Sequence, residues 1–183
     1  MTRRVVVTGL GAVTPIGIGW EKFWDGLKTG TSGISRISRF DPAGYACHIA
    51  GEIKDFVPTD FLEKKDARRL DRFIQFAVAA SRLAVKDAGL TIDPAIAEAT
   101  GVVIGSGIGG LDFLEEQCRI LFEKGPDRVS PFTVPLMITN MAAGLVAMNL
   151  GAKGPNTCVV TACATGTNSI GDAFRIIQRG EAL

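Results

Sequence analysis

Histidine is almost missing from this chain, with His48 the only one in 183 residues. The four cysteines (Cys47, Cys118, Cys158 and Cys163) form no C-x-x-C pair, so the spacing that a metal site needs is absent and no metal is expected. No apolar run reaches the roughly 18 residues of a membrane span. The opening MTRRVVVTGLG carries two arginines, but glycine breaks its apolar run at once, unlike a signal peptide. These absences point to the cytoplasm, or to an organellar matrix in a eukaryote, where thiols stay reduced. An excess of either charge is also lacking: twenty basic and nineteen acidic residues leave a net charge of +1. Neither nucleic acid nor a membrane surface is then an expected partner, and any electrostatic partner must be recruited locally.

What is present reads as a globular α/β chain, 46% hydrophobic and 21% charged, with no clear internal linker. Three times an apolar run enters small residues and then a helical pattern. Residues 5–7 (VVV) run to Gly9, and Trp20, Phe23, Trp24 and Leu27 follow at helical spacing up to Gly30. GVVIGSGIGG (101–110) leads into LDFLEEQCRILFEKG, an amphipathic pattern ending at Gly125. A strand over 157–162 leads into a helix over 163–179 that stops at Gly180. Between them, 31–58 is loop-like with room for short strands. From Asp60 the pattern turns helical, and a stripe through Leu70, Phe73, Ile74, Ala77, Ala80, Ala84 and Ala88 ends at Gly89. PLMITNMAAGLVAMNLG (135–151) reads as one helix, apolar nearly all round and so buried in a core or an interface. Strands without polar alternation, separated by helices, imply a mostly parallel sheet with helices on both faces.

The GSGIGG turn, from Gly105 to Gly110, matches G-x-G-x-x-G in a strand-to-helix context, which keeps a dinucleotide-binding domain open as an alternative. That fingerprint also expects an acidic residue about 20 positions on, at the end of the next strand. Asp127 falls in the loop GPDRVSP instead, so the glycines are expected to serve the tight turn itself, and no cofactor is expected.

Cys163 stands at the junction of a strand and a helix, the edge where ligands of open α/β folds bind. The partial positive charge of the unpaired N–H groups at a helix start favours a thiolate there, and a backbone N–H can face a developing oxyanion. Ala162, Ala164 and Gly166 add almost no bulk around it. The alternative is a small buried hydrophobe, as most free cysteines are; that is the expectation for Cys47, Cys118 and Cys158.

VVTACATGTNSIG, the segment holding Cys163, resembles the active-site segment of the β-ketoacyl-acyl-carrier-protein synthases, the condensing enzymes of fatty-acid synthesis. RRVVVTGLGAVTPIG, RRLDRFIQFAVAASRLAVKDAGL, VVIGSGIGG and SPFTVP with NMAAG resemble the same family in the same order, over the whole chain. The resemblance implies a thiolase-like fold of two similar halves, paired as a homodimer around the cysteine, of which residues 1–183 are the N-terminal half. It implies that Cys163 takes an acyl group from an acyl carrier protein. Malonyl-carrier then loses carbon dioxide and its carbanion attacks the thioester, giving a 3-oxoacyl-carrier two carbons longer.

By the same resemblance Ile108 gates an acyl pocket that Thr133, Met137 and Ala162 help to line. Many relatives carry an aromatic residue where Thr133 stands. Lys65, Arg68 and Arg69, which alone would read as a solvated face, become the docking patch for an acidic carrier. The family's two carbanion-stabilising histidines belong to its C-terminal half, and His48 matches a non-catalytic stretch. The chain alone is thus expected to be an inactive fragment with an uncovered apolar face. Other readings are a partner subunit of a condensing pair, whose relatives lack the nucleophile, and a thiolase acting on coenzyme A esters, disfavoured by TACATG and the basic helix.

Overall fold

The computed structural model describes residues 3–183. After an irregular N-terminal segment, β1 (Val13–Thr14) turns back on β2 (Gly17–Ile18) as an antiparallel pair, and α1 (Trp20–Lys28) follows directly. Gly30, at φ +66°, ends that helix where the sequence marks it. The loop-like region holds a second antiparallel pair, β3 (Ile34–Arg36) with β4 (Ile49–Gly51).

The helical stripe begins later than its pattern suggests and in two pieces. Helix α2 (Lys64–Arg69) stops at Leu70, which is extended, and α3 (Arg72–Asp87) restarts at Asp71, whose side chain caps it by accepting the Phe73 N–H at 3.1 Å. Strand β5 (Val102–Val103) precedes α4 (Leu111–Lys124), which ends at Gly125 as expected. The apolar stretch 135–151 is not one helix. It divides into α5 (Thr133–Met137) and α6 (Met141–Leu150), because Ile138 is extended and Asn140 opens the second helix. Strand β6 (Asn156–Thr157) pairs in parallel with β5, and α7 (Thr165–Arg179) closes at Gly180.

The core lies where α3 crosses α6. Ile74 and Val78 of α3 meet Ala143 and Val146 of α6, with Leu136 of α5 and Val102 of β5 completing the cluster. A fully buried side chain of this size contributes about 1.5–3 kcal/mol, and alanines in α6 let the two helices approach closely. One face of α6 is therefore core, while Met148 on the other is 78% exposed.

The parallel ladder is much shorter than its sequence pattern. β5 and β6 pair over two residues each, the expected strand over 157–162 leaves regular structure after Thr157, and residues 5–7 form no ladder among the described residues. A strand exists only through a partner, and Val6 and Val7 are exposed rather than paired. Their segment instead lies along α3: Leu10 N–H donates to Asp87 Oδ2 at 2.8 Å, and Trp20 Nε1–H donates to Asp87 Oδ1 at the same distance. The accessible surface, 11839 Å², exceeds the ~8,500 Å² expected of a compact monomer of this mass.

Candidate active site

The residues around Cys163 are arranged by a short 3₁₀ turn, Ala162–Ala164, placed between β6 and α7. The helix expected to begin at Cys163 begins two residues later, at Thr165. Three N–H groups of the turn are occupied by the turn itself: Thr161 donates to Thr165 Oγ1 at 2.9 Å, Ala164 to Thr161 O at 3.0 Å, and Thr165 to Ala162 O. The Cys163 N–H sits at the start of a helical turn, where no preceding carbonyl is in register to accept it. Among the described residues the Cys163 N–H makes no hydrogen bond, so thiol and available donor belong to one exposed residue.

Ala162 has φ +50°, the only positive φ at a non-glycine position among the described residues. For an L-residue that conformation costs about 1–2 kcal/mol, and strain of this kind gathers at functional sites. Nothing in the letters TACATG signals it, because an alanine does not announce a left-handed backbone.

Beneath this turn lies the glycine turn, residues 105–110. A Cβ built on Gly105 would meet Thr165 Cγ2 at 2.1 Å, Val159 O at 2.7 Å and Ser169 Oγ at 2.8 Å. On Gly109, at φ +81°, it would strike Met137 O at 2.2 Å, and the Gly110 N–H donates to that same oxygen at 3.0 Å. The glycines are required by close approach to α7 and α5. The space a pyrophosphate would occupy against Gly105 and Gly109 is filled by this chain's own backbone and side chains, which removes the dinucleotide reading.

The same contacts bring Ala162 and Met137 to the glycine turn that carries Ile108, and Thr133 is not among them. Gly107 lies against the turn, its ideal Cβ 4.0 Å from Ala162 Cα, and Gly109 touches Met137. Ile108 is held between them and is 70% exposed. Thr133 opens α5 one turn before Met137, its hydroxyl donating to Ser130 O at 2.6 Å. Lys65, Arg68 and Arg69 are exposed on α2. The Arg69 guanidinium stacks on the Phe132 ring at 4.5 Å, which brings the basic helix beside the start of α5.

His48 is exposed at the edge of the β3–β4 pair, directly before β4, and its carbonyl accepts the Ile37 N–H at 2.9 Å. The expectation of buried spare cysteines needs correction. Cys47 and Cys118 are exposed and Cys158 is half-buried. Cys47 lies in the loop before β4, and Cys118 is on the outward side of α4, so neither packs into the core cluster.

Residues 2–183 match the model of the β-ketoacyl synthase N-terminal domain. The chain belongs to that family. It is 58% identical over 180 residues to a 3-oxoacyl-[acyl-carrier-protein] synthase 2 of Synechocystis, covering 98% of this chain and 43% of the relative. To the protein of the same name from Staphylococcus aureus strain COL it is 54% identical over 180 residues, covering 98% and 44%. The chain thus spans less than half the length of these relatives.

Among solved structures, the ishigamide ketosynthase/chain length factor superposes with a TM-score of 0.84 at 34% identity, covering all of this chain and 46% of that one. A type II polyketide synthase acyl-carrier protein in complex with its ketosynthase gives a TM-score of 0.82 at 21% identity, over 97% of this chain and 47% of that one, and shows the fold alone. The fold is the α/β, thiolase-like fold of ketosynthases. Among the described residues, no helix is long and apolar enough to cross a membrane.

Proposed function

We propose that this chain is the nucleophile-bearing N-terminal half of a 3-oxoacyl-[acyl-carrier-protein] synthase that elongates fatty acids. The observation that carries the reading is Cys163 itself, an exposed thiol on a turn strained at Ala162, within a segment set against Gly105 and Gly107 of the turn that carries Ile108.

In the first step the Cys163 sulfur attacks the thioester carbonyl of an acyl carrier protein. The C–S bond to the pantetheine breaks, the acyl group moves to Cys163, and the carrier thiol leaves. The Cys163 N–H stabilises the oxyanion formed on the way. In the second step malonyl-carrier loses carbon dioxide, and the carbanion left behind attacks the acyl-Cys163 carbonyl. A carbon–carbon bond forms and the Cys163 thiolate departs. The groups that assist decarboxylation come from the C-terminal half of the synthase, since His48 lies in a surface loop.

Ile108, Thr133, Met137 and Ala162 form the wall of the acyl pocket on this side, and Lys65, Arg68 and Arg69 receive the acidic carrier. Pairing into a homodimer around Cys163, and residence in the cytoplasm or an organellar matrix, are part of the same reading. The excess accessible surface supports a chain that works only within a larger assembly. A role as the nucleophile-free partner of a condensing pair is disfavoured by the presence of Cys163.

The test uses the polypeptide from the complete reading frame. Incubation with acyl-carrier protein should label Cys163 with the acyl group, and addition of malonyl-carrier should then release a 3-oxoacyl product. A complete protein that remains unacylated refutes the proposal.

A further inference from the structure

Among the described residues Asp71 is the one charged residue that this fold buries, with 8% of its surface exposed. Its Oδ1 accepts the Phe73 N–H at 3.1 Å, capping α3. Its Oδ2 accepts the Phe113 N–H at 3.0 Å, in the first turn of α4 and 42 positions along the chain. One carboxylate therefore closes two helix N-termini. Helix α4 has no other such cap, because its N-cap residue is Gly110 and offers no side chain. Gly110 is also the last residue of the glycine turn, and its carbonyl accepts the Leu114 N–H at 3.0 Å. The turn carrying Ile108 is thus fixed at one end by α7, and at the other, at Gly109 and Gly110, by the Met137 carbonyl together with whatever holds the start of α4.

We infer that Asp71 is a positioning residue for acyl-chain selection: by anchoring the first turn of α4 to α3 it sets the glycine turn, and Ile108 on it, against Cys163. The inference rests on the functional reading above. Asp71 touches neither Cys163 nor the pocket and acts through the backbone of α4. The basic helix α2 precedes it in the chain and does not depend on the Phe113 contact, so carrier docking and acyl selection should separate.

Two substitutions cut one contact and keep the other. Serine at this position is a good cap for α3 but too short to reach α4. Asparagine keeps the size and one acceptor, but turns an amide donor toward one of the two N–H groups. In the complete synthase, single-turnover transfer of short to long acyl chains from carrier protein to Cys163 should lose about tenfold or more of its chain-length discrimination in Asp71→Ser and Asp71→Asn, as misplaced positioning groups do. The apparent KM for carrier should stay unchanged. Val78→Ala, a core truncation in α3, supplies a destabilised control whose chain-length profile should match wild type. If the serine variant fails to fold, the asparagine variant decides. Wild-type protein acylated on Cys163 together with variants of unaltered profile overturns this inference alone. Wild-type protein that is never acylated overturns the functional reading, and this inference with it.

Discussion

At Ala162 the chain accepts a left-handed backbone without the residue best suited to it, and the next side chain is the exposed thiol of Cys163. The sulfur itself contributes little to packing. Cys163→Ser should therefore leave the melting temperature of the complete synthase nearly unchanged while abolishing acyl transfer, a separation that thermal unfolding and a labelled-acyl assay can read together. Gly105 is the opposite case, because its role is entirely one of space. A methyl group there would collide with Val159 O, Thr165 and Ser169, so Gly105→Ala should cost about 1–3 kcal/mol in denaturant unfolding, the usual penalty for overpacking. A stability equal to wild type would mean that the turn does not press on α7. The place of Cys163 between β6 and α7 was legible in the sequence from the strand and helix patterns on either side of it. The strain beside it was not, since it arises from how a 3₁₀ turn joins β6 to α7 rather than from any residue type.

The helices follow their sequence patterns closely where a cap or a glycine marks them, as at Gly30, Gly89, Gly125 and Gly180. They depart from them where apolar periodicity runs through a break. The stretch 135–151 is apolar on either side of Thr139 and Asn140, yet Ile138 is extended, with Leu136 in the core and the Met137 carbonyl turned to the glycine turn. Periodicity records which residues are buried, not whether the backbone is continuous between them. Strand patterns were the least informative, for a β-branched run such as residues 5–7 cannot state whether a partner strand is present.

Lys65, Arg68 and Arg69 line the exposed side of α2, so reversing their charge should raise the apparent KM for carrier protein while Cys163 alkylation is retained; unchanged kinetics would reject the docking role. The β3–β4 pair should loosen in acid. The Ser38 hydroxyl donates to Glu52 at 2.7 Å, and the Ser38 and Arg39 N–H groups donate to the same carboxylate at 3.0–3.1 Å, holding its pKa below the ordinary glutamate value. A depressed carboxylate pKa gives stability that is complete above the unfolded value and lost as pH falls through the folded one. Amide exchange at Ser38 and Arg39, compared at equal intrinsic rate, should therefore accelerate as Glu52 protonates, and Glu52→Gln should show the faster exchange already at neutral pH.

Taken whole, the molecule exposes side chains that a self-sufficient domain would cover. Val7, Ile108, Phe122, Met148 and Ile170 are each at least 70% exposed, and three of them, Ile108, Met148 and Ile170, lie on the glycine turn, α6 and α7. Patches of this kind mark surfaces that another chain or domain covers. The 183-residue chain by itself is then expected to bind an apolar dye and to associate as its concentration rises, and the complete synthase should do neither; a monomeric, dye-silent fragment would contradict the assignment to a larger assembly. Every part of the account nevertheless depends on acyl transfer to one sulfur. The most direct measurement is peptide mass mapping of the complete synthase after brief incubation with acyl-carrier protein. The acyl mass should fall on the peptide containing Cys163 and leave the exposed Cys47 and Cys118 unmodified. An adduct spread over the three, or none on Cys163, would contradict the assignment of Cys163 as the nucleophile.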